Sequence, residues 1–256
     1  MKLLNPRGDI NLHTHTVYCD GKDSPEELVQ HALALGMKGL GFSGHEYSPN
    51  DVDFCMSEKD TKKYIEEICR LKEMYKDKID IYLGIERDYF GEIDEFPYDY
   101  VIGSLHYVEK DGVLMCVDYT AETMEYNVET HFEGDYRRYV ERYYEIIADL
   151  IPKTNGTIVG HFDLITKFNE GNRYFDEDAD WYREAALNAL HKVAEHKPIF
   201  EINTGAMSRG YRNRPYPAEF LLDEIHKIGC PVVLNSDCHD KMYLNHEFCK
   251  IIEILV

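Results

Sequence analysis

Seven short apolar runs, at residues 9–12, 39–43, 79–85, 100–105, 157–160, 199–202 and 232–235, alternate with amphipathic stretches, and no Pro/Gly/Ser-rich linker separates them. Parallel strands need crossovers long enough to hold a helix, so this alternation predicts an α/β fold with a mainly parallel sheet. The 256 residues suit one domain covering 1–256, since a single α/β barrel takes roughly 250 residues.

The first strand-and-helix unit shows the local grammar, and no internal sequence repeat is present. Ser24 can cap a helix, Pro25 fits its first position and Glu27 completes a capping box; Leu28, Ala32 and Leu35 then share one face and Gly36 ends it. Further helices are expected near 58–76, with Tyr64, Ile68, Leu71 and Tyr75 inward, and near 135–150 and 178–195. A last one turns Leu221, Ile225 and Ile228 inward and closes at Gly229. Residues 108–133 read as a long, irregular excursion.

Composition excludes several function classes. A formal charge of −20, from 48 acidic and 28 basic residues, repels nucleic acid. Seven cysteines without a CxxC pair read as reduced thiols. No segment has the length of a signal peptide's apolar core or of a membrane span, so a cytoplasmic protein with no membrane partner is expected.

In a parallel barrel the strands run out at one edge, and side chains from distant parts of the chain converge there. Here the strand ends carry His13 and His15, His45, Glu86, His106, His161, and Asp237 with His239. All are metal-ligand types. The i, i+2 spacing of His13 with His15, and of Asp237 with His239, puts each pair on one strand face, and Asp20 can reach the same mouth from its loop. His31, His191 and His226 fall in helices, and His131, His196 and His246 lack a partner motif; these six are left out. Nine candidate ligands exceed one ion, because zinc usually takes four, and imidazole mixed with carboxylate suits Zn, Fe or Mn.

The motifs HTH (13–15), DG (20–21), GHE (44–46), GIE (84–86), DYVIGSLHYV (99–108), GHFDL (160–164), EINTG (201–205) and SDCH (236–239) stand in one order across residues 9–239. In this the chain resembles the polymerase and histidinol phosphatase (PHP) family, and its DYVIGSLHYV run is similar to the histidinol-phosphate phosphatase branch. The resemblance implies a distorted (β/α)7 TIM-like barrel holding three divalent metal ions. Carried over, His13, His15, Glu86 and Asp237 would hold the first ion, Glu86, His106 and His161 the second, and Asp20, His45 and His239 the third. Glu86, Asp237 and His239 would thereby serve catalysis directly.

Phosphate monoesters resist attack by water, and closely spaced metals acidify a water and clamp the phosphoryl oxygens, so no protein nucleophile is required. The expected activity is hydrolysis of a small phosphate monoester, most specifically L-histidinol phosphate, with a metal-held hydroxide as the attacking group. Arginine matches phosphate geometry, and Arg209, Arg212 and Arg214 follow the strand at 199–202, so at least one of them is expected to face the site. The resemblance places a basic residue shortly after the NTG turn and so implies Arg209 as the phosphate-binding one. Asp163, Glu46 and Asp88 are candidates for holding the amine of such a substrate. The alternatives are another PHP phosphoesterase with a different small ester, a nuclease, a non-catalytic metal-binding regulatory module and an amidohydrolase. Acidity disfavours the nuclease, the intact ligand set disfavours the regulatory module, and Glu86 stands where amidohydrolases often place a lysine.

Overall fold

The computed structural model describes residues 2–255. Its strands are β1 (Lys2–Leu3), β2 (Ile10–Asn11), β3 (Gly39–Phe42), β4 (Asp80–Asp88), β5 (Tyr100–Ser104), β6 (Tyr107–Lys110), β7 (Val113–Cys116), β8 (Ile158–Val159), β9 (Ile199–Asn203) and β10 (Pro231–Asn235). The helices are α1 (Pro25–Ala34), α2 (Glu58–Tyr75), α3 (Ala121–Phe132), α4 (Tyr136–Ile147), α5 (Leu150–Thr154), α6 (Asp180–Ala194), α7 (Gly205–Ser208), α8 (Glu219–Ile228) and α9 (Phe248–Leu255). All seven expected strands are present, joined by the short β1 and by a separate β6–β7 hairpin.

The main sheet runs β1-β10-β9-β8-β5-β4-β3-β2, and every pairing is parallel. It curls until its two ends meet. Beyond the regular strands, Thr14 forms a parallel bridge with Cys238, where the His15 amide donates to the Cys238 carbonyl at 2.8 Å and the Cys238 amide to the His13 carbonyl at 3.1 Å. The architecture is therefore the TIM-like barrel expected, with an irregular seam.

Three apolar layers hold it together. Inside the curl lie Tyr100, Ile102, Ile158 and Val233. Outside, α1 and α2 bury Leu28, Val29, Ala32, Tyr64, Ile68, Leu71 and Tyr75 in a cluster with Leu40, Phe42, Ile81, Leu83 and Ile85 of the sheet. The remaining helices pack a larger cluster against the other half. Tyr100 fills the interior because Gly41 and Gly84 make room: a Cβ at Gly84 would lie 2.2 Å from its ring carbon Cζ, and one at Gly41 2.3 Å from its hydroxyl. That hydroxyl, with one proton to donate, lies 2.5 Å from the carbonyl of Leu12 and 3.0 Å from that of Phe42.

Helix starts follow the sequence closely. Ser24 and Glu27 form the capping box and Pro25 opens α1. Two inward assignments fail at helix ends: Leu35 is 42% exposed and Ile228 40%. Val29 and Leu222 take their place in the buried faces, because a stripe at helical spacing drifts off the contact in the last turn.

The irregular excursion expected at 108–133 is ordered instead. Asp111 and Gly112, with φ of 53° and 80°, make the two-residue turn joining β6 to β7. Both residues in the left-handed region match the twist of a hairpin, and Asp-Gly is a favoured pair for it. Thr120 then caps α3 by accepting from the Thr123 amide at 3.0 Å.

Gly84→Ala is expected to lower stability by about 1–3 kcal/mol through overpacking against Tyr100. Thermal unfolding of the two proteins at matched concentration checks this; an unchanged midpoint means the Tyr100 ring moves aside freely.

Candidate metal centre

The end of β4 delivers Glu86 to the mouth of the barrel, where its carboxylate is 1% exposed. Five imidazoles meet its two oxygens. Oε2 lies 3.1 Å from His13 Nε2, 3.4 Å from His15 Nε2 and 3.1 Å from His45 Nδ1. Oε1 lies 3.0 Å from His161 Nε2 and 3.6 Å from His106 Nε2, and accepts from Ser104 Oγ at 2.6 Å. A parallel bridge between His45 and Glu86 carries the β3–β4 register out to the site.

The strand that follows α8 completes the ring. Asp237 Oδ1 lies 3.2 Å from His15 Nε2 and 3.6 Å from His13 Nε2. His239 stacks on His15 with centroids 4.0 Å apart, and its Nε2 is 3.1 Å from Asp20 Oδ2. Asp237 takes φ of 49°, a left-handed conformation that aspartate tolerates better than most residues.

Four buried atoms here, His13 Nε2, His15 Nε2, Asp20 Oδ1 and Glu86 Oε2, have no hydrogen-bond partner among the described residues. Buried polar atoms are otherwise almost always bonded, so these donor atoms fit a cation. Three overlapping groups have mutually adjacent ligand atoms: His15, Asp20, His45 and His239; His13, His15 and Glu86; and His45, Glu86 and His106. The grouping differs from the carried-over sets in joining His15 to the Asp20 group, in leaving Asp237 out of the group of His13, His15 and Glu86, and in setting His45, rather than His161, with Glu86 and His106. All nine candidate ligands nevertheless gather in this one region.

Electrostatics explain why so much charge can be buried. Burial would raise Glu86, but His13 and His45 hold it well below the usual carboxylate range. Asp237 is likewise depressed against its burial, by Arg209 and His13. Burial would lower His13, yet the carboxylates of Glu201, Glu86 and Asp237 lift it well above its ordinary value. His15 goes the other way, pushed down to about 3 by burial and by its neighbours His239 and His45.

Two carboxylates outside the nine candidate ligands orient the imidazoles, and both sit at strand ends. Glu201 on β9 meets His13 Nδ1 at 2.6 Å and accepts from the His161 amide, Asn203 and Asn235 at 2.9 Å each. Asp88 accepts from the His106 amide at 3.0 Å and lies 3.2 Å from His106 Nδ1. Such partners fix the ring and leave Nε2 facing inward.

Above this floor lies a cavity of about 310 Å³, lined by Asp51, Phe54, Tyr107, Asp118, Tyr119, Lys167 and Arg209 as well as the candidate ligands. Of the three arginines only Arg209 enters it, with Nη2 3.0 Å from Asp237 Oδ2 and Nη1 3.1 Å from His239 Nδ1. Arg212 is buried against Glu177 at 2.9 Å, and Arg214 also turns to Glu177. Lys167, whose buried ammonium donates to the Asp118 carbonyl (2.6 Å) and Oδ2 (3.2 Å), was not foreseen from the sequence, where it follows the GHFDL motif unmarked. The acidic candidates for an amine do not line the cavity: Glu46 is held by Arg87 at 2.5 and 2.8 Å, Asp163 accepts from the Ala218 amide at 2.9 Å, and Asp88 serves His106.

The PHP domain profile matches residues 11–205, which include seven of the nine candidate ligands. The chain belongs to the PHP domain family. It is 25% identical to the histidinol-phosphatase of Bacillus subtilis over 248 residues, covering 89% of this chain and 92% of that one. The fold superposes on the crystal structure of HisK from Listeria monocytogenes with a TM-score of 0.79 at 21% identity, covering 94% of this chain and 99% of the other. It also matches the histidinol phosphate phosphatase of Lactococcus lactis, solved with zinc, L-histidinol and phosphate, with a TM-score of 0.68 at 22% identity over 96% and 92% of the two chains.

Glu201→Gln removes the charge behind His13 and is expected to weaken zinc binding about 10–100-fold with the fold retained. Chelator competition alongside circular dichroism measures both; unaltered affinity would show that His13 needs no carboxylate behind it.

Proposed function

We propose that this chain, acting as one domain over residues 1–256, is a metal-dependent phosphomonoesterase whose substrate is L-histidinol phosphate, hydrolysed to L-histidinol and phosphate. The observation that carries the reading is Glu86: one buried carboxylate facing five imidazoles beneath a cavity that also presents Arg209 and Lys167. Relatives carrying the histidinol-phosphatase name along most of their length support the substrate, as does the zinc, L-histidinol and phosphate bound to the Lactococcus protein.

His13, His15, Asp20, His45, Glu86, His106, His161, Asp237 and His239 would hold three divalent ions, of Zn, Mn or Fe. When bound, such ions acidify water and neutralise phosphoryl oxygens. The residues of the chain do the rest. Arg209 presents a planar pair of donors to phosphate oxygens, while Lys167 adds a point charge whose position Asp118 fixes. In the overall change phosphorus gains an oxygen from water, the ester P–O bond breaks and the alcohol leaves with a proton. A reducing, cytoplasmic setting belongs to this reading; the seven cysteines are free, and among the described residues no helix is long and apolar enough to cross a membrane.

Phosphate release from histidinol phosphate, set beside sugar, nucleotide and amino-acid phosphates, tests the substrate directly. A clear preference for another small ester would keep the chemistry and change the substrate; release from none would end the proposal. Metal analysis after reconstitution should return two to three equivalents. Glu86→Gln should lose about one equivalent and at least about 10³-fold in kcat, or about 4 kcal/mol of barrier. Asp20→Asn should do less. Arg209→Ala should raise KM more than it changes metal content, and the reverse pattern would move Arg209 from substrate binding to metal retention.

A further inference from the structure

A cavity that receives a phosphate dianion gains nothing from an unpaired carboxylate in its wall, since like charges there oppose binding. Yet Asp51 is such a group. It is half-buried and lines the cavity, and no Lys, Arg or His among the described residues pairs with it. Its Oδ1 accepts from the Tyr107 hydroxyl at 2.7 Å, and Oδ2 has no protein donor among the described residues. Asp118, the other acid in this wall, is already engaged by Lys167 and by the Cys116 thiol at 3.3 Å. Close by, Phe54 and the exposed Tyr119 meet edge to face at 5.9 Å, offering aromatic surface to the same cavity. A free carboxylate oxygen among aromatic rings is a receptor for a cation.

Resting on the phosphomonoesterase reading above, we propose that Asp51, with Phe54 and Tyr119, receives the cationic end of the alcohol being released. The site then selects phosphate esters that carry an ammonium or imidazolium group over neutral and anionic ones. Arg209 and Lys167 take the phosphate, and Asp51 takes the opposite charge at the other end of the same molecule. This gives a dipolar substrate two anchors of the right sign, whereas a sugar phosphate would have only one.

Asp51→Asn is the decisive variant, because it keeps an oxygen for the Tyr107 hydroxyl and removes only the charge; Tyr119→Ala, at an exposed position, tests the aromatic part without risk to folding. Two quantities are read on metal-loaded protein: the preference for histidinol phosphate over p-nitrophenyl phosphate, as a ratio of kcat/KM, and the calorimetric affinity for L-histidinol set against that for inorganic phosphate. Asp51→Asn should lower both the preference and the relative L-histidinol affinity about 10–100-fold, the range of a charge-assisted hydrogen bond, and Tyr119→Ala should lower them less. If both esters lose activity in parallel, or L-histidinol binds the Asn variant within twofold of the parent, the subsite is wrong and the phosphomonoesterase reading stands. If the parent releases phosphate from no ester yet binds L-histidinol in an Asp51-dependent way, the reaction is wrong and the cation subsite stands.

Discussion

An ionised carboxylate removed from water must be met by positive charge or hydrogen bonds, or it costs several kcal/mol. At Glu86 that requirement shapes everything around it. Five imidazoles from four different strand ends, and the Ser104 hydroxyl, close on two oxygen atoms. The parallel register of β3, β4 and β5 brings them there, since each strand must end at the same height for its last residue to reach the carboxylate. Behind two of them, Glu201 at His13 and Asp88 at His106 then set which ring nitrogen faces inward.

The barrel divides by height into an apolar base and a charged rim. Tyr100, Ile102, Ile158 and Val233 fill the base, and the Tyr100 hydroxyl reaches the carbonyls of Leu12 and Phe42. Above them imidazoles and carboxylates take the centre. Rigidity below lets the rim hold unpartnered polar atoms, which a looser scaffold would relax into hydrogen bonds with one another.

The parts of this protein that were legible in the sequence are those governed by short-range rules. Alternating apolar runs located seven strands, Ser24-Pro25-Glu27 located a helix start, and ligand-type residues at strand ends, with Asp20 from its loop, picked out nine candidates that gather in one region. What escaped depends on packing across distance. The hairpin at 107–116 was missed although Asp111-Gly112 announces its turn, because the flanking strands belong to no repeat of the main sheet. Leu35 and Ile228 fit a helical stripe yet face solvent, as the stripe outruns the contact. Lys167, Asp51 and Asp118 carry no motif of their own; only the folded chain shows that three separate loops bring them to one cavity. Glu46 and Asp163, close in sequence to ligands, turn instead to partners outside it.

The seam between Thr14 and Cys238 joins segments more than two hundred residues apart, and the residues on either side of it, His13, His15, Asp237 and His239, all belong to the candidate metal centre. Bringing such distant segments together carries one of the larger loop-closure entropies in the chain, a cost that has to be met before their contacts can repay it. The candidate metal centre is thus complete only when these two distant segments have found each other. A nascent or partly folded molecule, with its first strands made and its last still unmade, lacks Asp237 and His239, so the cluster stays open on one side until the architecture is complete.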